Sequence, residues 1–145
     1  HILVPTDCSP LSATAVDKAM ALARDVKAKV TVMIAIEPFH VLTTNQGSLS
    51  DTRESYARHA KAEAERVLSD AQKKAKELAV TCGVTQVEAD QPYKAIIEAA
   101  EKNGCDLIAM GSHGRTGLSQ LMLGSHAAEV VSKAKTPVLV IPEGA

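Results

Sequence analysis

The sequence predicts an α/β fold in which an open parallel sheet lies between two layers of helices. Three observations carry this. Five short β-type runs alternate with helical segments along the chain. The second run, Val30 to Ile36, is apolar at nearly every position, as strands covered on both faces are. In the segments between runs, apolar residues recur three or four apart and so share one helix face.

The first run, Ile2-Leu3-Val4, ends at Pro5. Leu11, Ala15, Ala19, Leu22 and Val26 then form a helical stripe reaching Lys27, opened by Ser9 as N-cap and Pro10 in the first turn. After the second run, residues from Phe39 to about Asp51 are rich in Thr, Asn, Gln, Gly and Ser and are expected to be loop. A long helix follows, with Tyr56, Ala60, Ala64, Val67, Ala71, Ala75 and Leu78 on one stripe and Gly83 as its stop. Glu54 with Arg58, and Asp70 with Lys74, stand four apart in the favourable order for helix pairs.

Val84 to Ala89 is a third, more polar strand, expected nearer an edge. Pro92 starts a helix carrying Ile96, Ile97 and Ala100, closed by Asn103-Gly104. Leu107 to Met110 is the fourth strand, and Gly111 to Gly124 a glycine-bearing connection with a short helical turn expected around Leu118 to Met122. A last helix spans about Ser125 to Lys133. Val138 to Ile141, bracketed by Pro137 and Pro142, suits an edge strand. This order implies right-handed crossovers and a doubly wound, Rossmann-like sheet within one domain, residues 1–145. In such sheets ligands bind beyond the carboxyl ends of the strands, here Pro5–Ser9, Ala35–Pro38 and Gly111–Ser125.

Composition narrows the function. The chain is 46% hydrophobic with only 2% aromatic residues, so the core must be aliphatic. Sixteen basic and 17 acidic residues are spread along it, which leaves no dense basic face for a nucleic acid backbone. Cys8, Cys82 and Cys105 are sparse and lack CxxC spacing, which points to a reducing, cytoplasmic setting. No apolar run reaches the ~20 residues of a membrane span.

Half of the eight glycines, Gly111, Gly114, Gly117 and Gly124, fall within one fourteen-residue stretch. Gly124-Ser125 directly precedes the last helix, where free N–H groups and the helix dipole favour an anion. The stretch is either a phosphate cradle or a set of turns with a helix cap; spacing alone leaves both open. No Walker lysine motif occurs.

Read as Gly111-x2-Gly114-x9-Gly124-Ser125, this segment resembles the signature of ATP-binding universal stress proteins, and the words GSHGRTG and PVLVIP are similar to that family. The opening Pro5-Thr6-Asp7-Cys8-Ser9 resembles the family's P-x-D-x-S turn. The resemblance covers essentially the whole chain. It implies a five-stranded sheet of order 3-2-1-4-5, of the adenine nucleotide alpha-hydrolase-like type, and a homodimer through the C-terminal edge strand. It implies that Pro5, Thr6 and Asp7 line the adenosine end, that Ala35 meets adenine through its backbone, and that Met110 and Gly111 pack near the sugar. Gly114, Gly124 and Ser125 would hold phosphates, with Arg115 a further phosphate contact. The ligand would be ATP, ADP or AMP, with Mg²⁺ or Mn²⁺ carried by its phosphates.

The sequence departs from the family at His126 and Ala127, where a small aliphatic and then a small or hydroxylated residue are usual. Ala127 removes a hydroxyl, and His126 either adds a hydrogen bond to phosphate when protonated or crowds the site. Elsewhere the bland readings hold. Five histidines, including His113 in the glycine stretch, show no metal-ligand spacing. Cys8 beside Asp7 is a small structural residue before it is a redox thiol. A Ser9–His113–Asp7 triad can be written on paper but lacks a GxSxG elbow. The expected role is a nucleotide-dependent stress-response regulator binding an unidentified protein partner. The alternatives are a slow ATPase or phosphotransferase in the same cleft, and a dimeric interaction protein with a degenerate site.

Overall fold

The computed structural model describes residues 1–38, 46–113 and 123–142, together with the backbone but not the side chains of 46–51. The elements follow in the order β1 (Ile2–Thr6), α1 (Pro10–Val26), β2 (Val30–Ile36), α2 (Gln46–Glu77), β3 (Cys82–Glu88), α3 (Pro92–Lys102), β4 (Leu107–Gly111), α4 (Ser125–Lys133) and β5 (Val138–Ile141). All strand pairs are parallel, and the order across the sheet is β3-β2-β1-β4-β5. The expected order is thus observed, with β3 and β5 at the edges.

The sheet divides the core in two because alternate residues of a strand face opposite sides. On one face Ile2, Val4, Val30 and Val32 pack with Met20 of α1 and Leu68 of α2. On the other, Leu3, Met33, Ile108 and Met110 pack with Ile96 of α3 and Val130 of α4. β1 is buried along its whole length, which a central strand covered on both faces requires. The helices meet the sheet through alanines: Ala15, Ala19 and Ala23 of α1 are fully buried, and Ala64, Ala71 and Ala75 of α2 nearly so.

Three helices leave for the next strand by one device. In α1, Ala28 N–H donates to Ala23 C=O while Lys27 takes a φ of 56°. In α2, Val80 N–H donates to Ala75 C=O and Ala79 N–H to Lys76 C=O, with Ala79 at 57°. In α3, Cys105 N–H donates to Ala100 C=O and Gly104 sits at 60°. These are Schellman caps, and an apolar residue follows the left-handed position each time.

Four expectations are corrected. The stretch expected as loop to Asp51 is helical from Gln46, since helical hydrogen bonding continues upstream of the stripe that marked the helix. Gly83 is not the helix stop: Ala79 ends α2 in the left-handed conformation, and Gly83 pairs with Thr31 inside β3. Tyr56 lies upstream of Ala64, where the buried face of α2 begins, and is 39% exposed, whereas Leu68, off the expected stripe, is buried. Asp70 is bridged by Arg66 rather than Lys74, because Lys74 reaches across to Asp17 of α1. The helical turn expected at Leu118 to Met122 lies outside the described residues.

Candidate functional site

The carboxyl ends of β1, β2 and β4 and the first turn of α4 converge where the strand order reverses, between β1 and β4. At the end of β1 the chain turns sharply. Thr6 is buried, and its hydroxyl lies 2.7 Å from that of Ser12, also buried, in the first turn of α1. Cys8 takes a φ of 66° and its N–H donates to Thr6 Oγ1 at 3.3 Å. Ser9 caps α1 as expected, accepting from Ser12 N–H at 3.2 Å, and its own N–H donates to Asp7 Oδ1 at 3.0 Å. Ser12 Oγ donates to Ser9 C=O at 2.9 Å. Two buried hydroxyls thus hold a left-handed turn, and a backbone amide fixes the half-buried Asp7 carboxylate.

Ala35 stands beside this turn. Lys29 C=O accepts from Ile2 N–H, and Val30 N–H donates to Thr81 C=O, so odd-numbered residues of β2 turn their backbone toward β1 and even-numbered ones toward β3. Ala35 therefore faces β1, one residue beyond Ile34–Thr6, the last pair of that register. Its backbone borders the space that opens where β1 ends.

On the other side of β1, β4 ends at Met110, which is buried in the core, and Gly111. The nearest atoms to a Cβ at Gly111 would be His113 O, Ala15 Cβ and Leu11 O at 3.5–3.9 Å, ordinary contact distances, so packing there does not demand glycine. Ser112 N–H donates to Ile141 C=O at 2.9 Å, and Gly124 N–H donates to Ser112 C=O at 2.7 Å. The second bond ties the start of α4 to the end of β4.

Gly124 is the N-cap of α4 and has no side chain to accept from the helix; the first turn carries no acid. The first intrahelical bond runs from Ala128 N–H to Gly124 C=O, so the amides of Ser125, His126 and Ala127 are the donors a helix start leaves for an anion. The Ser125 side chain is exposed. That of Ala127 is buried against the α3–α4 side of the sheet, so it can offer a ligand only its N–H. His126 points the other way, and its Nε2 lies 3.6 Å from Glu37 Oε1 just past β2.

The structure therefore brings Pro5, Thr6, Asp7, Ala35, Met110, Gly111, Gly124, Ser125, His126 and Ala127 to one end of the sheet. Gly114 and Arg115 lie outside the described residues. No hydrogen bond joins Ser9 to His113: the Ser9 hydroxyl is engaged with Ser12, His113 Nδ1 sits 3.1 Å from Ser112 Oγ, and His113 Nε2 is buried without a partner among the described residues. Among the described residues no group of three His, Cys, Asp or Glu could hold a metal ion, and no helix is long and apolar enough to cross a membrane. Burial pushes the thiols of Cys82 and Cys105 above their ordinary pKa, away from the reactive thiolate. Sequence reasoning missed Ser12 and Glu37. Ser12 resembles any helix serine, and Glu37 gains meaning only when the fold brings α4 beside it.

A family model described as the universal stress protein family matches residues 1–142. The chain is similar to universal stress protein MJ0531 of Methanocaldococcus jannaschii, 35% identical over 142 residues and spanning 97% of this chain and 80% of that protein. Among solved structures it is similar to MJ0577 of the same organism, with a TM-score of 0.76 and 27% identity over 97% of this chain and 93% of that one. It is also similar to a universal stress protein solved in complex with cAMP, with a TM-score of 0.70 and 30% identity, covering 97% and 94% of the two chains.

Proposed function

Because the chain belongs to the universal stress protein family, we propose that it is a regulatory module that binds an adenine nucleotide beyond the ends of β1 and β4. The observation that carries this is the uncapped start of α4, tied by Gly124 to Ser112 and set across β1 from Ala35. Phosphate takes the amides of Ser125 to Ala127, together with Gly114 and Arg115. Pro5, Thr6, Asp7 and the Ala35 backbone take the nucleoside, and Met110 and Gly111 flank the sugar. ATP, ADP and AMP are the candidate ligands, with Mg²⁺ or Mn²⁺ entering on the phosphates. The complex of a relative with cAMP supports the adenine class.

The module acts by occupancy rather than turnover: no hydrogen bond joins Ser9 to His113, the pair that a nucleophile and its base would need, and the Ser9 hydroxyl instead caps α1. It works as a homodimer through the β5 edge, where Leu139 is 39% exposed and Val131 of α4 45% exposed. Cys8, Cys82 and Cys105 form no disulfide, which accords with a cytoplasmic site of action. A ligand that binds only the folded state raises its melting temperature. Saturating adenine nucleotide is therefore expected to stabilise the protein and not a Gly124→Val variant. An unchanged transition in the parent protein would remove this reading, and steady phosphate release from ATP would move it toward the enzyme alternative.

A further inference from the structure

β3 is the longer of the two edge strands, with seven residues against the four of β5. Its register with β2 is unbroken, and it contains no proline or lysine, the residues that usually keep an edge from pairing. Val30 N–H donates to Thr81 C=O and Ala89 N–H to Ile36 C=O, so odd-numbered residues of β3 turn their backbone to β2. Val84, Gln86 and Glu88 turn theirs outward, and Gln86 and Glu88 are exposed. A groove of about 710 Å³ runs beside this edge, between β3 and α3. Thr85, Val87, Ala95 and Ala99, all half-buried, line its inner part. Lys94, Glu98 and Lys102, all exposed, stand along its α3 side. Four helical residues rise about 6 Å and two strand residues about 6.6 Å. The three charges therefore keep step with alternate residues of a strand laid beside β3.

We propose that the β3 edge and this groove take an extended segment of a partner protein as an added strand, with acid, base and acid at the alternate positions that face the groove. The backbone of the segment pairs with the outward amides and carbonyls of Val84, Gln86 and Glu88. Its charged groups reach Lys94, Glu98 and Lys102, while their aliphatic stems cover the small residues beneath. Backbone pairing supplies affinity, and the order of charges supplies the choice of partner. The inference stands apart from nucleotide binding, since the groove lies at the β3 edge and the cleft at the reversal between β1 and β4.

The test is NMR titration of the intact chain with a short synthetic peptide, blocked at both ends, that carries Glu, Lys and Glu at alternate positions with Thr and Val between them. A peptide with Lys, Glu and Lys at those positions is the control. The first peptide is expected to move the amides of Val84–Glu88 and Lys94–Lys102 and to bind about tenfold tighter than the control, three ion pairs being exchanged for three repulsions. Glu98 is exposed, so Glu98→Lys keeps the fold, which its melting temperature verifies. This variant should bind the first peptide about threefold more weakly and regain affinity for a peptide with three acids. N-methylation of one alternate set of peptide amides should cut affinity at least about tenfold, and of the other set leave it within about twofold, because only one set faces β3. No binding at about 1 mM peptide, equal binding of the two charge patterns, or equal effects of the two methylated sets overturns the proposal. Self-association through the same amides with no peptide present, seen by sedimentation, would make the occupant a second copy and overturn it as well.

Discussion

Thr6 and Ser12 form a buried hydroxyl pair beneath the turn that presents Asp7. Both hydroxyls are buried, so removing one takes a partner from the other that water does not replace, although Thr6 Oγ1 keeps the Cys8 amide and Ser12 Oγ keeps Ser9. Ser12→Ala is expected to cost about 1–3 kcal/mol, whereas Thr6→Val combined with Ser12→Ala should cost clearly less than the sum of the two single changes. Chemical denaturation of the four proteins measures this; additive losses would show that the pair is not coupled. At this scale the sequence is legible where a role is local. The Ser9 cap follows from a serine before a proline, and the cap is found. Glu37 was illegible because its partner His126 comes from the far end of the chain, and Ser12 because a buried hydroxyl and an exposed one look alike in a sequence.

The elements differ in how their ends are finished. Lys27 and Ala79 hold left-handed conformations that glycine adopts freely, and both side chains are exposed. Lys27→Gly and Ala79→Gly should each stabilise the fold by roughly 0.5–1 kcal/mol, read as a higher melting temperature. A loss at either site would mean that the side chain contributes more than the backbone strain costs. These ends also explain the misplaced stop at Gly83: glycine is the usual sequence signal of such an end, and the chain uses Ala79 instead. At α4 the missing side-chain cap is the feature on which the proposed nucleotide site rests. Gly124→Asp supplies an acceptor and a negative charge at the helix start, which together favour the helix by a few tenths to about 1 kcal/mol. The same carboxylate occupies and repels the anion site, so nucleotide affinity should fall at least tenfold while stability holds or rises. A variant that still binds would place the phosphates elsewhere.

Across the whole molecule, two aliphatic cores share one sheet, with Ile2 and Val4 serving one and Leu3 the other. Neither core can form without β1, so residues 1–142 should unfold as a single cooperative transition, with fluorescence-independent probes such as far-UV circular dichroism and calorimetry coinciding. Two separate transitions would contradict a single domain. The strand order was legible through the family motifs, and the number and type of elements through the alternation of periods. The start of α2 was not, because Gln46 to Asp51 lacks the apolar spacing that betrays a helix. The molecule also offers a rival location for a ligand, a groove of about 710 Å³ between β3 and α3 lined by Thr85, Glu88, Gln91, Lys94 and Glu98 among others. It lies at the sheet edge, away from the strand-order reversal, and it is the natural control. The most direct measurement is therefore an amide-resolved NMR titration with AMP. Binding at the reversal predicts that shifts concentrate at Thr6–Asp7, Ala35–Glu37, Met110–Ser112 and Gly124–Ala127 and leave Thr85–Asn103 unmoved. Shifts confined to the β3–α3 groove, or none at saturating nucleotide, would contradict it.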